Sequence, residues 1–205
     1  MVETDRKAHW EEVYISKPET GVSWYQAEPR LSLELIRAVA PGGGRIVDVG
    51  GGASVLVDRL LDLPFERIAV LDISETALGK AKSRLGERAG RVEWIVADIA
   101  GTHDIGTFDV WHDRAVFHFL TETADRRRYV ELARRTLPEG GHLIVASFAD
   151  DGPKRCSDLD VCRYNATSLA AELGKDFSLV REARESHTTP WGSQQAFFHG
   201  VFRRQ

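Results

Sequence analysis

The sequence is poor in sulfur, with two cysteines and one methionine in 205 residues. Cys156 and Cys162 cannot build a disulfide framework, which excludes a small stapled fold and leads us to expect a reducing compartment. No apolar run approaches the roughly 18–20 residues of a membrane span. The opening MVETDRKAHWEE also lacks the apolar stretch of a signal peptide, so a cytoplasmic protein without a membrane partner is expected. Neither sign of charge dominates: 27 Lys plus Arg against 31 Asp plus Glu give a net −4, which offers no footprint for a nucleic-acid partner. Collagen-like periods, internal repeats and low-complexity stretches are absent. What remains is a chain with 42% apolar residues, of a length that suits a single domain over 1–205.

Hydrophobic spacing divides that domain. Residues 5–14 read as a short helix with Asp5 as its N-cap, 15–29 as a loop broken by Pro18, Gly21 and Pro29, and 30–40 as a second helix. Strands at 45–49, 67–72, 91–98, 108–112 and 142–148 then alternate with helices at 54–63, 74–88 and 123–137. This alternation implies an α/β domain, a parallel sheet with helices on both faces. The pattern changes near residue 176: FSLVREARESH (177–187) and QQAFFHGVFRR (194–204) read as an antiparallel pair at the sheet edge. The domain thus has N-terminal helices with a lid-like loop (1–40), a core (45–148) and a C-terminal segment with the strand pair (149–205).

The informative stretch is IVDVGGGAS, Ile46 to Ser54, which follows a strand and opens a helix. Gly50 and Gly52 permit a sharp turn and close approach of a ligand, and amides at the helix start would attract negative charge. A glycine turn alone is also what any tight strand–helix connection uses. Two acids add weight: Asp72 ends the second strand, twenty residues beyond Gly52, and Asp98 ends the third. An acid at the first position suits a ribose diol. One at the second suits an adenine amino group, with Ile73 and Ile99 flanking the ring. The alternative for each is a helix cap or surface turn. The G-x-G-x-x-G fingerprint fails at Val55, and GxxxxGK[ST] is absent. Asp48, just before the turn, disfavours a pyrophosphate and suits an ammonium group.

Asp48-x-Gly50-x-Gly52 with Asp72 and Asp98 resembles the cofactor motifs of the class I S-adenosylmethionine-dependent methyltransferases, over roughly residues 30–205. Ser54 stands where that family often has a third glycine. HDRAVFHFL, GPKRCSDLDVCRY and HTTPWGSQQAFF resemble small bacterial members of no single assigned substrate. The resemblance implies a Rossmann-like, doubly wound seven-stranded sheet of order 3-2-1-4-5-7-6 with strand 7 antiparallel. It also implies S-adenosyl-L-methionine as cofactor, with Asp48, Gly50, Gly51 and Gly52 at the methionine end, Asp72 on the ribose and Asp98 on the adenine.

On the acceptor side, Asp113, Arg114 and His118 follow the fourth strand. His118 is a candidate general base, with Asp113 beside it; the alternative is a polar side chain that caps a helix or packs between Phe117 and Phe119. Arg114 suits the methionine carboxylate or an acidic substrate, against a salt bridge with Asp113 or Glu122. Trp24 and Tyr25, with Gln26, form a candidate lid over the sulfonium, or simply cover the sheet edge. Cys156 and His187 return to the same mouth as candidate substrate contacts, and their spacing is not that of a structural zinc site, so no metal is expected. The Asn/Asp-Pro-Pro-aromatic tetrad and a Pro-Cys nucleophile of the nucleic-acid enzymes are both absent. The expected activity is methyl transfer by in-line displacement to a small molecule or a single protein side chain. The other readings are a non-catalytic S-adenosylmethionine-binding protein and a nicotinamide-dependent oxidoreductase.

Overall fold

The computed structural model describes residues 3–205, with side chains from residue 6 onward. In chain order the elements are α1 (Glu3–Ser16), α2 (Arg30–Val39), β1 (Gly44–Val49), α3 (Leu56–Leu60), β2 (Phe65–Asp72), α4 (Glu75–Leu85), β3 (Glu93–Val96), β4 (Val110–Arg114) and α5 (Thr123–Thr136). Then come β5 (His142–Phe148), a two-residue ribbon β6–β7 (Arg155–Cys156, Leu159–Asp160), α6 (Ala166–Leu173), β8 (Phe177–Thr188) and β9 (Gln194–Arg204). Among the described residues no helix is long and apolar enough to cross a membrane.

The main sheet has seven strands in the order β3-β2-β1-β4-β5-β9-β8. Pairings are parallel up to β5 and antiparallel from β5 through β9 to β8. Counting only these strands, the order is the expected 3-2-1-4-5-7-6. The central strands are apolar on both faces because both are covered. Ile46, Ile68, Val70, Val110 and Ile144 join one buried layer with Leu35 and Ile36 of α2, Leu56 and Leu60 of α3 and Leu78 of α4. Their sequence neighbours Val47, Ala69, Leu71, Trp111 and Val145 enter the opposite layer, with Tyr129 and Leu132 of α5 and Leu169 and Leu173 of α6. Each such side chain contributes roughly 1.5–3 kcal/mol on burial, which fixes the register, since a one-residue slip would exchange the layers.

Several element boundaries differ from expectation, for local reasons. Asp5 lies inside α1, not at its cap. Helix α3 is only five residues long, because Ser54 Oγ accepts the Leu56 amide and Pro64 follows closely. Strand β3 stops at Val96, and Asp98 then folds back to accept the Ala100 amide at 2.8 Å. Strand β4 begins two residues late because Asp109 turns to accept both the Arg45 amide and its guanidinium. Helix α6 was not anticipated. Its signal is in the sequence: Asn165 and Ser168 form a reciprocal capping box ahead of Leu169 and Leu173, four apart.

Candidate active site

Strands β1, β2 and β4 end along one rim, as does the turn after β3, where an open parallel sheet leaves its crevice. Helix α1 and the loop from 17 to 29 close over it. The crevice has two halves that share Tyr14, Trp24, Gly50 and Arg114 as walls.

The first half receives Asp72 and Ile73 from the end of β2, and Asp98 and Ile99 from the turn after β3. Asp72 is 6% exposed; its Oδ1 accepts the Ser74 amide at 2.8 Å. Burial pushes its carboxyl up to about 7, against that hydrogen bond and with help from the charges of Asp48 and Glu11. Ser74 also caps α4 by accepting the Ala77 amide at 3.0 Å, as expected. A Cβ on Gly52 would lie 2.9 Å from Asp72 Oδ2 and 2.8 Å from Tyr14 Oη, so the missing side chain keeps both groups clear. Asp98 Oδ2 is paired with Arg6 of α1 at 2.7 Å.

The second half holds Asp48, Gly51, Tyr25, His112 and Ser32. Gly50 turns the chain at φ +67, and a Cβ there would sit 1.9 Å from Val116 Cγ2. The Gly50 and Gly51 amides both donate to Leu71 O, and Leu56 N–H donates to Ser54. Three of the amides around the expected anion-attracting helix start, those of Gly50, Gly51 and Leu56, are thus taken up by the protein's own acceptors.

Arg114, at the end of β4, borders both halves. Its side chain is 10% exposed, Nη1 donates to Trp24 O at 3.0 Å, and the plane lies 4.5 Å over the Phe197 ring. Nη2 is 3.7 Å from Glu185, too far for a hydrogen bond, and Nε and Nη2 are buried without an acceptor. The expected bridges to Asp113 or Glu122 do not form. Burial lowers the Arg114 pKa although Glu185 opposes it. Four aromatic residues, Trp10, Tyr14, Trp24 and Phe119, line the first half; Trp10 meets Trp24 and Phe119 edge to face at 5.8 and 4.9 Å.

The expected acid–base residues lie elsewhere. His118 is fully buried with Nδ1 accepting the Phe148 amide at 3.3 Å, its ring 4.5 Å from Phe119 and 4.8 Å from Phe148. Burial, aided by Arg114, lowers it to about 3. Asp113 is equally buried and accepts the Val116 and Phe117 amides and the Tyr129 hydroxyl, at 2.7 Å for the last. Neither borders the crevice. The side chains alternate along β4, so Asp113 enters the α5 layer, and the short helical turn at 117–119 folds His118 inward. Cys156 and His187 do not border it either. Both meet Ser23, Cys156 at 3.7 Å to Oγ and His187 at 2.7 Å to the carbonyl, and so brace the loop that carries Trp24. Burial pushes the Cys156 thiol up.

Sequence reasoning missed Arg6, Trp10, Tyr14, Ser32 and His112. The first three fall on one face of α1 at four-residue spacing, a signal that was readable. His112 and Ser32 carry no motif and become visible only when β4 is laid beside β1 and under α2.

Residues 47–143 match the family model described as a methyltransferase domain. Nodulation protein S of Rhizobium tropici is 27% identical over 109 residues, 53% of this chain and 45% of that protein. The eEF1A lysine and N-terminal methyltransferase of Danio rerio is 24% identical over 147 residues, 70% of this chain and 21% of that protein. This chain thus spans less than half of the length of these curated relatives. The structure of 1,6-didemethyltoxoflavin-N1-methyltransferase from Burkholderia thailandensis, with 1,6-didemethyltoxoflavin and S-adenosylhomocysteine bound, superposes with a TM-score of 0.77 at 18% identity, covering 100% of this chain and 91% of that one. In its matched domain and its sheet order, the chain is similar to the class I S-adenosylmethionine-dependent methyltransferases.

Proposed function

We propose that the crevice binds S-adenosylmethionine and that the protein transfers its methyl group to a small molecule or a single protein side chain. The observation that carries this reading is the division of charge along the rim. Asp72 and Asp98, with Ile73 and Ile99, border one half, while Asp48 borders the other and Arg114 stands at the junction of the two. The first set suits a ribose diol and an adenine edge between apolar side chains. The second offers an anion and a cation to a zwitterion. Bound in this way, the cofactor supplies an electrophilic methyl group for in-line displacement.

The chain's own residues then position and exclude. Asp48 and Arg114 hold the amino-acid end from opposite charges, and Asp72 accepts from the ribose hydroxyls. Trp10, Tyr14, Trp24 and Phe119 shut water from the junction, where dipoles act more strongly once solvent is gone. His118 and Asp113 do not serve as bases, since neither reaches the crevice. Catalysis rests on alignment, which contributes about 7–11 kcal/mol in well-oriented reactions. A narrow, aromatic-walled crevice supports an acceptor that is a small molecule or one extended side chain. The names of the two methyltransferases above, one acting on a small heterocycle and one on lysine and an N-terminus, fit both.

Thermal shift with S-adenosylhomocysteine, S-adenosylmethionine and NAD tests the cofactor. Ligand at a hundred times its Kd stabilises by about 2.7 kcal/mol, and only the adenosyl ligands should do so. Stabilisation by NAD alone would overturn the reading. Labelled methyl transfer to a size-fractionated cell extract then separates small acceptors from protein.

A further inference from the structure

The second half of the crevice contains a hydrogen-bonded chain that the proposed function does not yet use. His112 and Asp48 are cross-strand partners in the β4–β1 register. His112 Nδ1 lies 2.7 Å from Asp48 Oδ1, and Nε2 lies 2.9 Å from the Ser32 hydroxyl of α2. All three are nearly solvent-free, at 2–3% exposure, yet all border the same half of the crevice.

The chemistry of the three groups fixes the direction of the bonds. A carboxylate only accepts, so Nδ1 carries the hydrogen toward Asp48. In the neutral ring Nε2 is then the acceptor, and the Ser32 hydroxyl donates to it. The hydroxyl thereby selects the tautomer that donates to Asp48, as an outer partner does for a metal-bound histidine. Asp48 Oδ1 is committed to the ring, while Oδ2 lies over the bare backbone of Gly51, 2.5 Å from where a Cβ would stand. One oxygen is pinned and the other is presented.

We infer that Ser32 and His112 are positioning residues that aim Asp48 Oδ2 at the ammonium group of the bound amino-acid end. This rests on the function proposed above and narrows it: recognition of the ammonium depends on a relay through two residues that do not touch it. An imidazole donor sharing the Asp48 carboxylate leaves a full anion for one further cation, and its fixed ring removes the rotational freedom that the carboxylate would otherwise lose on binding. The same relay gives no advantage to a ligand that lacks the ammonium.

The test compares two ligands by calorimetry: S-adenosylhomocysteine, and 5′-methylthioadenosine, which keeps the adenosine and thioether but has no amino-acid end. The variants are His112→Leu, His112→Asn and Ser32→Ala. His112→Leu should weaken S-adenosylhomocysteine by about tenfold or more, the scale of a lost hydrogen bond to a charged group, and leave methylthioadenosine within about twofold. In His112→Asn the amide N–H takes the place of Nδ1–H, so most of the affinity should return. Ser32→Ala should weaken S-adenosylhomocysteine several-fold and spare methylthioadenosine. Equal weakening of both ligands, or an asparagine variant as weak as the leucine one, would overturn the inference. If His112→Leu fails to fold, the ligand ratio in Ser32→Ala decides alone. Failure of the wild type to bind either adenosyl ligand would instead sink the proposed function, so the two failures are distinct.

Discussion

Arg6 of α1 forms an ion pair with Asp98, two residues past β3, with Nη2 at 2.7 Å and Nε at 2.9 Å from the same carboxylate oxygen. Arg6 also reaches Asp125 of α5 at 2.6 Å. One guanidinium thus ties the N-terminal helix both to the turn after β3 and to α5. Five residues along the chain, Glu11 anchors the other end of the contact by accepting the Ser74 hydroxyl and the Glu75 and Thr76 amides at the start of α4.

Arg6→Ala should therefore loosen the cover. Removing one partner of a buried pair costs roughly 3–5 kcal/mol, and Arg6 keeps 16% side-chain exposure, so a loss at the lower end is expected. Hydrogen exchange should rise across 3–16 while β1 and β5 keep their protection, and S-adenosylhomocysteine should dissociate several-fold faster. Unchanged exchange in that segment would show that α1 is held by its other contacts alone.

The sheet was legible because its signal is doubly written: buried strands must be apolar throughout, and helices between them must follow the 3.6-residue period. The rim acids were legible because Asp48, Asp72 and Asp98 sit at or just past strand ends, where periodicity breaks. Roles that depend on direction were not. Arg114 ends β4 and His118 lies four residues further on, yet a short helical turn sends His118 into the core while Arg114 borders the crevice. Nothing in the spacing distinguishes them. The pairings of Arg6 and His112 were illegible for a different reason, since their partners are 92 and 64 residues distant.

Asp72 gives a pH-dependent prediction with a definite sign. Its carboxyl is raised to about 7 by burial in the folded protein, against about 3.9 in an unfolded chain. The folded state thus binds the proton more tightly, and Asp72's contribution to stability is present below about pH 4 and lost as pH rises through about 7. At 1.36 kcal/mol per pH unit the loss is on the order of 4 kcal/mol. Asp72→Asn removes this decline: its Tm should match the wild type near pH 4.5 and exceed it at pH 8, by roughly 2–4 °C per kcal/mol. The amide oxygen still accepts the Ser74 amide, but cofactor affinity should fall by about tenfold or more as a charged acceptor is lost. Parallel Tm curves across that range would show that Asp72 is solvated in the absence of ligand.

His118→Leu should read as a stability variant. The substitution orphans the Phe148 amide, at a cost of about 1–3 kcal/mol near pH 7. The wild-type ring is lowered to about 3, so it resists protonation and its contribution is lost as pH falls below about 6.5. Leucine has no such loss, and the gap between the two proteins should narrow from pH 7 to pH 5 in urea unfolding. S-Adenosylhomocysteine affinity should stay within about twofold. A tenfold loss of affinity would return His118 to the site.

Gly51→Ala separates the rim's geometry from the fold's. Its backbone is not in the left-handed region, so alanine meets no torsional strain there, but the new methyl would stand 2.5 Å from Asp48 Oδ2 and 2.7 Å from Val70 Cγ1. Val70 is locked in the central layer, so the carboxylate must yield. The expected cost is about 1–3 kcal/mol of overpacking, together with a loss of S-adenosylhomocysteine affinity that methylthioadenosine does not share. Gly79→Ala in α4 is the control: nothing lies within 4 Å of its added methyl, and a helical glycine replaced by alanine should gain roughly 0.5–1 kcal/mol. If Gly51→Ala binds S-adenosylhomocysteine as the wild type does, the carboxylate has room to move without penalty, and Asp48 is not held in the orientation that recognition of the ammonium requires.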